Sequence, residues 1–95
     1  MQVVQVRLKN GTVLGIRIDL NIAPILVMKA DKGFVMCGYL NIDAAEKMGD
    51  VAARVSGVRT FEDVLEARIN QATTKANGLG IKEGMTGREA LELLF

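Results

Sequence analysis

The first twenty residues alternate between apolar and polar side chains, and this pattern limits what the chain can fold into more than any other. The apolar positions lie on both sides of the tripeptide Lys9-Asn10-Gly11, and they are Val4, Val6, Leu8, Leu14, Ile16, Ile18 and Leu20. A period of two indicates a strand with one buried face, and Asn-Gly is typical of a tight turn. The segment is therefore predicted to form an antiparallel β-hairpin.

The length of the loop decides which side chains of this hairpin share a face. A two-residue loop at Asn10-Gly11 would put the two apolar sets on opposite faces. A three-residue loop, Lys9 to Gly11, pairs Val6 with Leu14 and makes one face apolar. We expect the three-residue loop, with Gly11 in the left-handed conformation.

Residues 24–40 indicate a second hairpin. The segments "PILVMKA" and "FVMCGYL" are almost continuously apolar, and Asp31-Lys32-Gly33 joins them. Strands without alternation are usually covered on both faces. We therefore expect both strands of this hairpin to be covered on both sides.

The remaining residues, 41–95, carry signals for short helices and strands. We expect helices that begin after Asn41, after Thr60, near Thr74 and after the capping box of Thr86 and Glu89, with short strands at 52–55 and within 68–73. The first of these helices should end at Gly49. The predicted fold class is α+β, with N-terminal antiparallel β-hairpins followed by short helices and one or two further strands. The chain should form a single domain, 1–95, with a β-rich region at 1–40 and a mixed region at 41–95.

The apolar content is high for a chain of this size. Its 95 residues are 49% hydrophobic, and the mean hydropathy is +0.23. A domain this small buries only about 60–65% of its unfolded surface. We expect part of the apolar surface to lie between subunits.

Charge and cysteine content exclude several classes of protein. The net charge is +1, aromatic residues are 4% of the chain, and no basic block occurs, so we expect no nucleic-acid partner. The longest apolar run, 22–30, is too short to span a bilayer, so we expect no membrane partner. A single cysteine cannot form an internal disulfide, and no signal-peptide pattern occurs. These features favour a cytoplasmic protein.

The absence of histidine limits the possible chemistry. It excludes Ser-His-Asp and Cys-His catalysis within the chain, and with one cysteine it leaves no ligand set for zinc. The glycine-rich segment "GLGIKEGMTG" matches neither common phosphate-loop spacing, so turns and helix ends explain it better. A site for Mg²⁺ or Ca²⁺ made of carboxylates alone stays open, but no EF-hand pattern occurs, and we expect no metal and no cofactor.

Cys37, followed directly by Gly38, is the centre of the candidate site. The thiol could be a small buried side chain, a pocket-lining group whose neighbouring glycine lets a ligand approach, or a nucleophile. Asn41 is a helix cap or a ligand contact, and Arg59 is a surface residue or an anion anchor. Apolar neighbours suppress thiol nucleophilicity, so we expect Cys37 to be buried and not a free-standing catalyst.

Three separate segments, "GFVMCGYLNI", "GVRTFEDVLEA" and "LGIKEGMTGREALELL", resemble the YunC-like family, a bacterial and archaeal domain of unknown function (DUF1805). The resemblance covers nearly the whole chain, and Cys37-Gly38 matches the family pattern. It implies a homotetramer assembled through the N-terminal β-region, and it implies no catalytic residue.

Two functions remain open from the sequence. The first is a homotetrameric binding or interaction module, with a small-molecule pocket near Cys37 that includes Gly38, Asn41 and Arg59. The alternative is a cysteine-dependent enzyme with an active site shared between subunits.

Overall fold

The computed structural model describes residues 1–95, which form one six-stranded sheet and four short helices. The strands are β1 (Gln2–Arg7), β2 (Thr12–Ile18), β3 (Ile25–Lys29), β4 (Phe34–Met36), β5 (Ala52–Arg54) and β6 (Gln71–Ala72). The helices are α1 (Ile42–Met48), α2 (Phe61–Glu66), α3 (Thr74–Gly78) and α4 (Gly87–Glu92). No helix is long and apolar enough to cross a membrane.

The strands lie in the sheet in the same order as in the chain. All neighbours are antiparallel except β4 and β5, which are parallel. A parallel pair requires a crossover connection, and α1 lies in that connection. Both predicted N-terminal hairpins are present, and the α+β fold class is confirmed.

The main core lies between one face of the sheet and helices α2, α3 and α4. It is a cluster of 18 buried residues. The strands contribute, among others, Val13, Leu26, Met28 and Val35, and the helices contribute Val64, Leu65, Ala76, Ala90 and Leu91. A second cluster lies on the opposite face of the sheet, where Ile42 and Ala45 of α1 cover Met36 and Ala52. Strand β4 is therefore covered on both sides, as predicted.

The face of the sheet that α1 covers at β4 and β5 continues across β1 to β3 as an apolar surface. We call its side chains the outer face, and they are Val3, Leu14, Ile16, Ile18 and Val27. Strand β3 is thus not fully covered on both faces, because Leu26 and Met28 are buried whereas Val27 is half-buried. This differs from the expectation for the second hairpin.

The predicted register of the first hairpin is wrong. Val6 pairs with Val13, and Arg7 pairs with Thr12, so the loop contains the four residues from Leu8 to Gly11. Leu14 and Ile16 therefore lie on the outer face, and not on the core face with Val6. Gly11 has no positive φ, which also contradicts the prediction.

Tertiary contacts of the loop explain this register. Leu8 is buried in the core, and the Glu92 carboxylate accepts hydrogen bonds from the N–H groups of Lys9 and Asn10 at 3.0 and 2.8 Å. A Cβ atom on Gly11 would lie 2.6 Å from the Phe95 ring, so the glycine provides room and not a left-handed turn. Residues close to the C-terminus thus select the longer loop.

The predicted helix ends are confirmed. Asn41 caps α1, and its side chain accepts hydrogen bonds from the N–H groups of Asp43 and Ala44. Gly49 ends the helix with a φ of 80°, a conformation that glycine adopts without a steric penalty. The capping box of Thr86 and Glu89 opens α4.

Candidate functional site

Cys37 lies one residue beyond β4, at the point where the chain leaves the sheet. Its N–H donates to the Leu26 carbonyl oxygen at 3.1 Å, whereas its own carbonyl oxygen accepts a hydrogen bond from the Leu40 N–H and so closes a turn. The Leu26 N–H donates instead to the Cys37 Sγ at 3.4 Å. In a continued ladder the Cys37 carbonyl oxygen would accept the hydrogen bond from the Leu26 N–H. Because that oxygen is used in the turn, the Cys37 thiol accepts this hydrogen bond in its place. It is buried, as predicted, with 3% of the residue exposed.

A mostly apolar cleft of about 230 Å³ lies beside this turn, and we call it the Cys37 cleft. It is lined by Ala23, Pro24, Cys37, Gly38, Tyr39, Gly57 and Val58. Pro24 and Cys37 are buried, whereas Tyr39 is 52% exposed at the opening. The cleft therefore combines a mainly apolar lining with an exposed tyrosine side chain.

A more polar cleft of about 320 Å³ adjoins it, and we call this one the Arg54 cleft. It is lined by Gly38, Tyr39, Leu40, Asn41, Ile42, Asp43, Arg54 and Gln71. The Arg54 Nη1 donates to Gln71 Oε1 at 2.6 Å, and its Nη2 donates to the Gly38 carbonyl oxygen at 3.3 Å. The Arg54 Nε is buried and has no hydrogen-bond partner. Arg54 therefore links the turn after β4 to β6 and supplies a positive charge.

The structure brings together some of the predicted site residues and separates others. Cys37 and Gly38 both line the Cys37 cleft, and Asn41 lines the adjoining Arg54 cleft while it caps α1. Arg59 lines neither cleft. Its Nη1 donates to the Ile22 carbonyl oxygen at 3.2 Å, and its N–H donates to Asp63 Oδ2 at 3.0 Å, so its observed contacts hold the loop before α2.

Arg54 is the cleft residue that the sequence reasoning missed. A weak signal was available, because Arg54 is a single charged residue in the otherwise apolar strand segment "VAARV". Charged side chains in apolar strands are uncommon unless they pair with another polar group. The position of its partners Gly38 and Gln71, far away in the chain, could not be inferred from that signal.

Two carboxyl groups have pKa values below their ordinary value of 4.5. The pKa of Glu46 is lowered by hydrogen bonds from the Thr74 hydroxyl and N–H, and the pKa of Glu89 is lowered by the N–H and hydroxyl of Thr86. Both groups stabilise the first turn of a helix and lie outside both clefts. These shifts therefore mark capping interactions and not a reactive centre.

The family model for a domain of unknown function, DUF1805, matches residues 36–94. The chain belongs to this family. The match begins at Met36, so it includes Cys37, Gly38 and Arg54 and leaves β1 to β3 outside.

Two relatives support the assignment to the DUF1805 family. The chain is 45% identical over 65 residues to the uncharacterized protein YunC of Bacillus subtilis (strain 168). That alignment covers 64% of this chain and spans only 64% of the length of YunC. The crystal structure of TA1206, a protein of unknown function from Thermoplasma acidophilum, matches with a TM-score of 0.94 and 36% identity, over 99% of this chain and 92% of that one. The fold of β1 to β3 is therefore shared with a solved structure, although it lies outside the family model.

Within this DUF1805 fold, the surroundings of Cys37 do not favour a reactive thiol. The Sγ is buried and accepts a backbone hydrogen bond, and the chain has no histidine that could act as a base. No group of three or more His, Cys, Asp or Glu side chains is placed to hold a metal ion. The observed contacts of Cys37 are those of a side chain that completes the β3–β4 ladder.

We expect Cys37 to react with iodoacetamide at least about tenfold more slowly in the native protein than in urea, because alkylation requires local opening of the ladder at Leu26. The rates can be measured by mass spectrometry across pH. A native rate that equals or exceeds the unfolded rate would contradict a buried structural role. It would favour the cysteine-dependent enzyme with a shared active site.

Proposed function

We propose that the protein is a homotetrameric binding module whose copies associate through the outer face of β1 to β3, with a small-molecule pocket beside Cys37 and Gly38. The observation that carries the proposal is the uncovered apolar side of the N-terminal strands. The resemblance to the YunC-like family, which implies assembly through this region, supports it. The proposal assigns no reaction to the protein, and its single unpaired cysteine fits a cytoplasmic location.

The exposure of the outer face is the first argument for self-association. Val3 is 53% exposed, Ile18 is 40% exposed and Leu14 is 37% exposed. Ile16 lies between Val3 and Val27 in the sheet, so these side chains form one contiguous row. Contiguous apolar surfaces on small proteins commonly mark interaction sites.

The limits of the outer face are the second argument. Polar side chains on the same side of the sheet border the row of Val3, Ile16 and Val27 along one side: Gln5 and Lys29 flank Leu14, and Arg7 pairs with Thr12 beyond them. An apolar centre with a polar rim is the usual organisation of a protein–protein interface. At the β3 end of the row, Val27 pairs with Met36, which α1 already covers. A second copy would cover the part of this face that α1 does not reach.

The pocket component of the proposal rests on the turn at Cys37 to Leu40. The Cys37 cleft combines an apolar lining with backbone that is close to the surface at Gly38. Asn41 lines the Arg54 cleft, and its side chain accepts hydrogen bonds as the cap of α1. Ligand pockets are typically apolar clefts with a few oriented polar groups.

Replacing Ile16 with lysine is expected to disrupt the tetramer. Light scattering on the wild-type protein should give about four times the 10.3 kDa chain mass at micromolar concentration. Ile16→Lys places a charge in the centre of the apolar row, so the mass should fall to that of a monomer or dimer. Far-ultraviolet circular dichroism should show retained secondary structure, because the Ile16 side chain points away from the main core.

Ile22→Lys is the matched control, since Ile22 is 81% exposed and lies in the loop between β2 and β3, not on the outer face. This variant should keep the wild-type mass. A monomeric wild-type protein would disprove self-association. An unchanged mass for Ile16→Lys, or an equal loss for Ile22→Lys, would show that the outer face is not the interface.

A further inference from the structure

The Cys37 cleft and the Arg54 cleft are neighbours with complementary chemistry. Both are lined by Gly38 and Tyr39, so they meet at the turn after β4. One has a mainly apolar lining and the other contains a guanidinium group. The Cys37 cleft, at about 230 Å³, is smaller than the roughly 300–1,000 Å³ typical of ligand pockets, and the Arg54 cleft, at about 320 Å³, is at the lower end of that range. Their contact at Gly38 creates a longer site with one apolar end and one cationic end.

The charge of Arg54 is not neutralised within the chain. Its two hydrogen bonds go to uncharged acceptors, the Gln71 amide and the Gly38 carbonyl group. The ion pairs of the chain within 4.0 Å are Arg17 with Asp19 and Arg88 with Glu66, and neither involves Arg54. Arg54 is half-buried, which reduces its solvation and increases its attraction for an anion. Guanidinium groups bind carboxylates and phosphates through charge-assisted hydrogen bonds.

Gly38 provides a second, independent observation. Its φ is not positive, so the backbone does not require glycine. A Cβ atom there would meet Arg54 Nη2 and Ser56 Oγ at 3.6 Å, which is ordinary contact and does not exclude alanine. Neither conformation nor packing therefore explains this glycine. Its missing side chain keeps space open directly beside the guanidinium.

We propose that the two clefts form one binding site for a small organic anion with an apolar body. The anionic group lies beside Arg54, and the apolar part lies in the Cys37 cleft, against Pro24 and Val58. The inference rests on the proposed function, because it names the ligand class of the pocket beside Cys37 and Gly38. Asp43 also lines the Arg54 cleft and opposes an anion, so its removal should strengthen binding.

Three probes separate the two parts of the site. Phenylacetate has both an anionic and an apolar part, phenylacetamide lacks the charge, and acetate lacks the ring. Titration of the ¹⁵N-labelled protein should shift the amide signals of Gly38, Tyr39 and Leu40. Phenylacetate should bind about tenfold or more tightly than either other probe.

Variants of Gly38, Asp43 and Arg54 locate the site. Gly38→Ala should leave the melting temperature unchanged and weaken phenylacetate binding about tenfold, whereas Asp43→Asn should strengthen it several-fold. Gly78→Ala, in α3 with nothing within 4 Å of the new methyl group, is the control and should not change binding. Arg54→Gln should abolish the preference for phenylacetate over phenylacetamide. If Arg54→Gln does not fold, the effect of Gly38→Ala on phenylacetate binding still tests the site.

The outcomes distinguish this inference from the proposed function. Equal binding of phenylacetamide and phenylacetate would overturn the anion preference and leave the pocket beside Cys37 in place. Equal binding of acetate and phenylacetate would overturn the apolar end. If no probe shifts the signals of Gly38 to Leu40, both this inference and the pocket fail, whereas self-association is measured separately by light scattering.

Discussion

Replacing Gly87 with alanine is expected to destabilise the protein by about 3 kcal/mol or more, which is a large part of the 5–15 kcal/mol typical of a small domain. A Cβ atom at Gly87 would lie 2.0 Å from the Val64 carbonyl oxygen and 3.0 Å from its carbonyl carbon. Both are backbone atoms of α2, so no side-chain rotation can relieve the overlap. The substitution must separate α2 from α4 and open the core between them.

Urea unfolding of Gly87→Ala, followed by circular dichroism, measures this effect. Gly78→Ala is the matched control, because Gly78 has an ordinary φ, lies in α3 and has nothing within 4 Å of its added methyl group. The control should gain up to about 1 kcal/mol from the better helix propensity of alanine. A Gly87→Ala protein as stable as the wild type would mean that α2 and α4 do not approach this closely.

Replacing Thr73 with valine is expected to destabilise the protein by about 3 kcal/mol or more, because the buried hydroxyl makes three hydrogen bonds that are lost at once. Thr73 is 1% exposed. Its hydroxyl donates to the Asp50 carbonyl oxygen at 2.8 Å and accepts from the N–H groups of Ala52 and Ala76 at 3.2 and 3.3 Å. Valine preserves the shape of the side chain and leaves three backbone groups without this partner.

Thr73→Ser is the control for this prediction, since it keeps the hydroxyl and removes only a methyl group. It should cost about 1 kcal/mol and retain the cap of α3. The midpoints of thermal unfolding for the two variants separate lost hydrogen bonds from lost packing. Equal destabilisation by valine and serine would show that packing, and not the hydroxyl, is what this position contributes.

Local signals in the sequence predicted much of the fold. The caps at Asn41, Thr60 and Thr86 and the helix end at Gly49 were found correctly, because each depends on hydrogen bonds between residues within four positions of one another. The two hairpins and the burial of Cys37 followed from apolar patterning. These features depend on residues that are close together in the chain and not on contacts with distant ones.

The candidate site was only partly predictable, because some of its contacts join residues that are far apart in the chain. Cys37 and Gly38 were recognised because an isolated cysteine beside a glycine in an apolar run is visible locally. Arg54 was not recognised, since its role depends on hydrogen bonds to Gly38 and Gln71, which are 16 and 17 positions away. Arg59 was expected at the site, but it contacts the Ile22 carbonyl group 37 positions away and lines neither cleft.

The amino-acid sequence by itself determined the types of element, their order and the ends of the capped helices, because these depend on periodicity and on capping within one or two turns. Only the tertiary structure decided the register of the first hairpin, where Glu92 and Phe95 act on a loop more than eighty positions away. That register directs Leu14, Ile16 and Ile18 to the outer face. A shift of one residue reverses the face of every side chain in a strand, so a contact from the far end of the chain controls which surface is apolar.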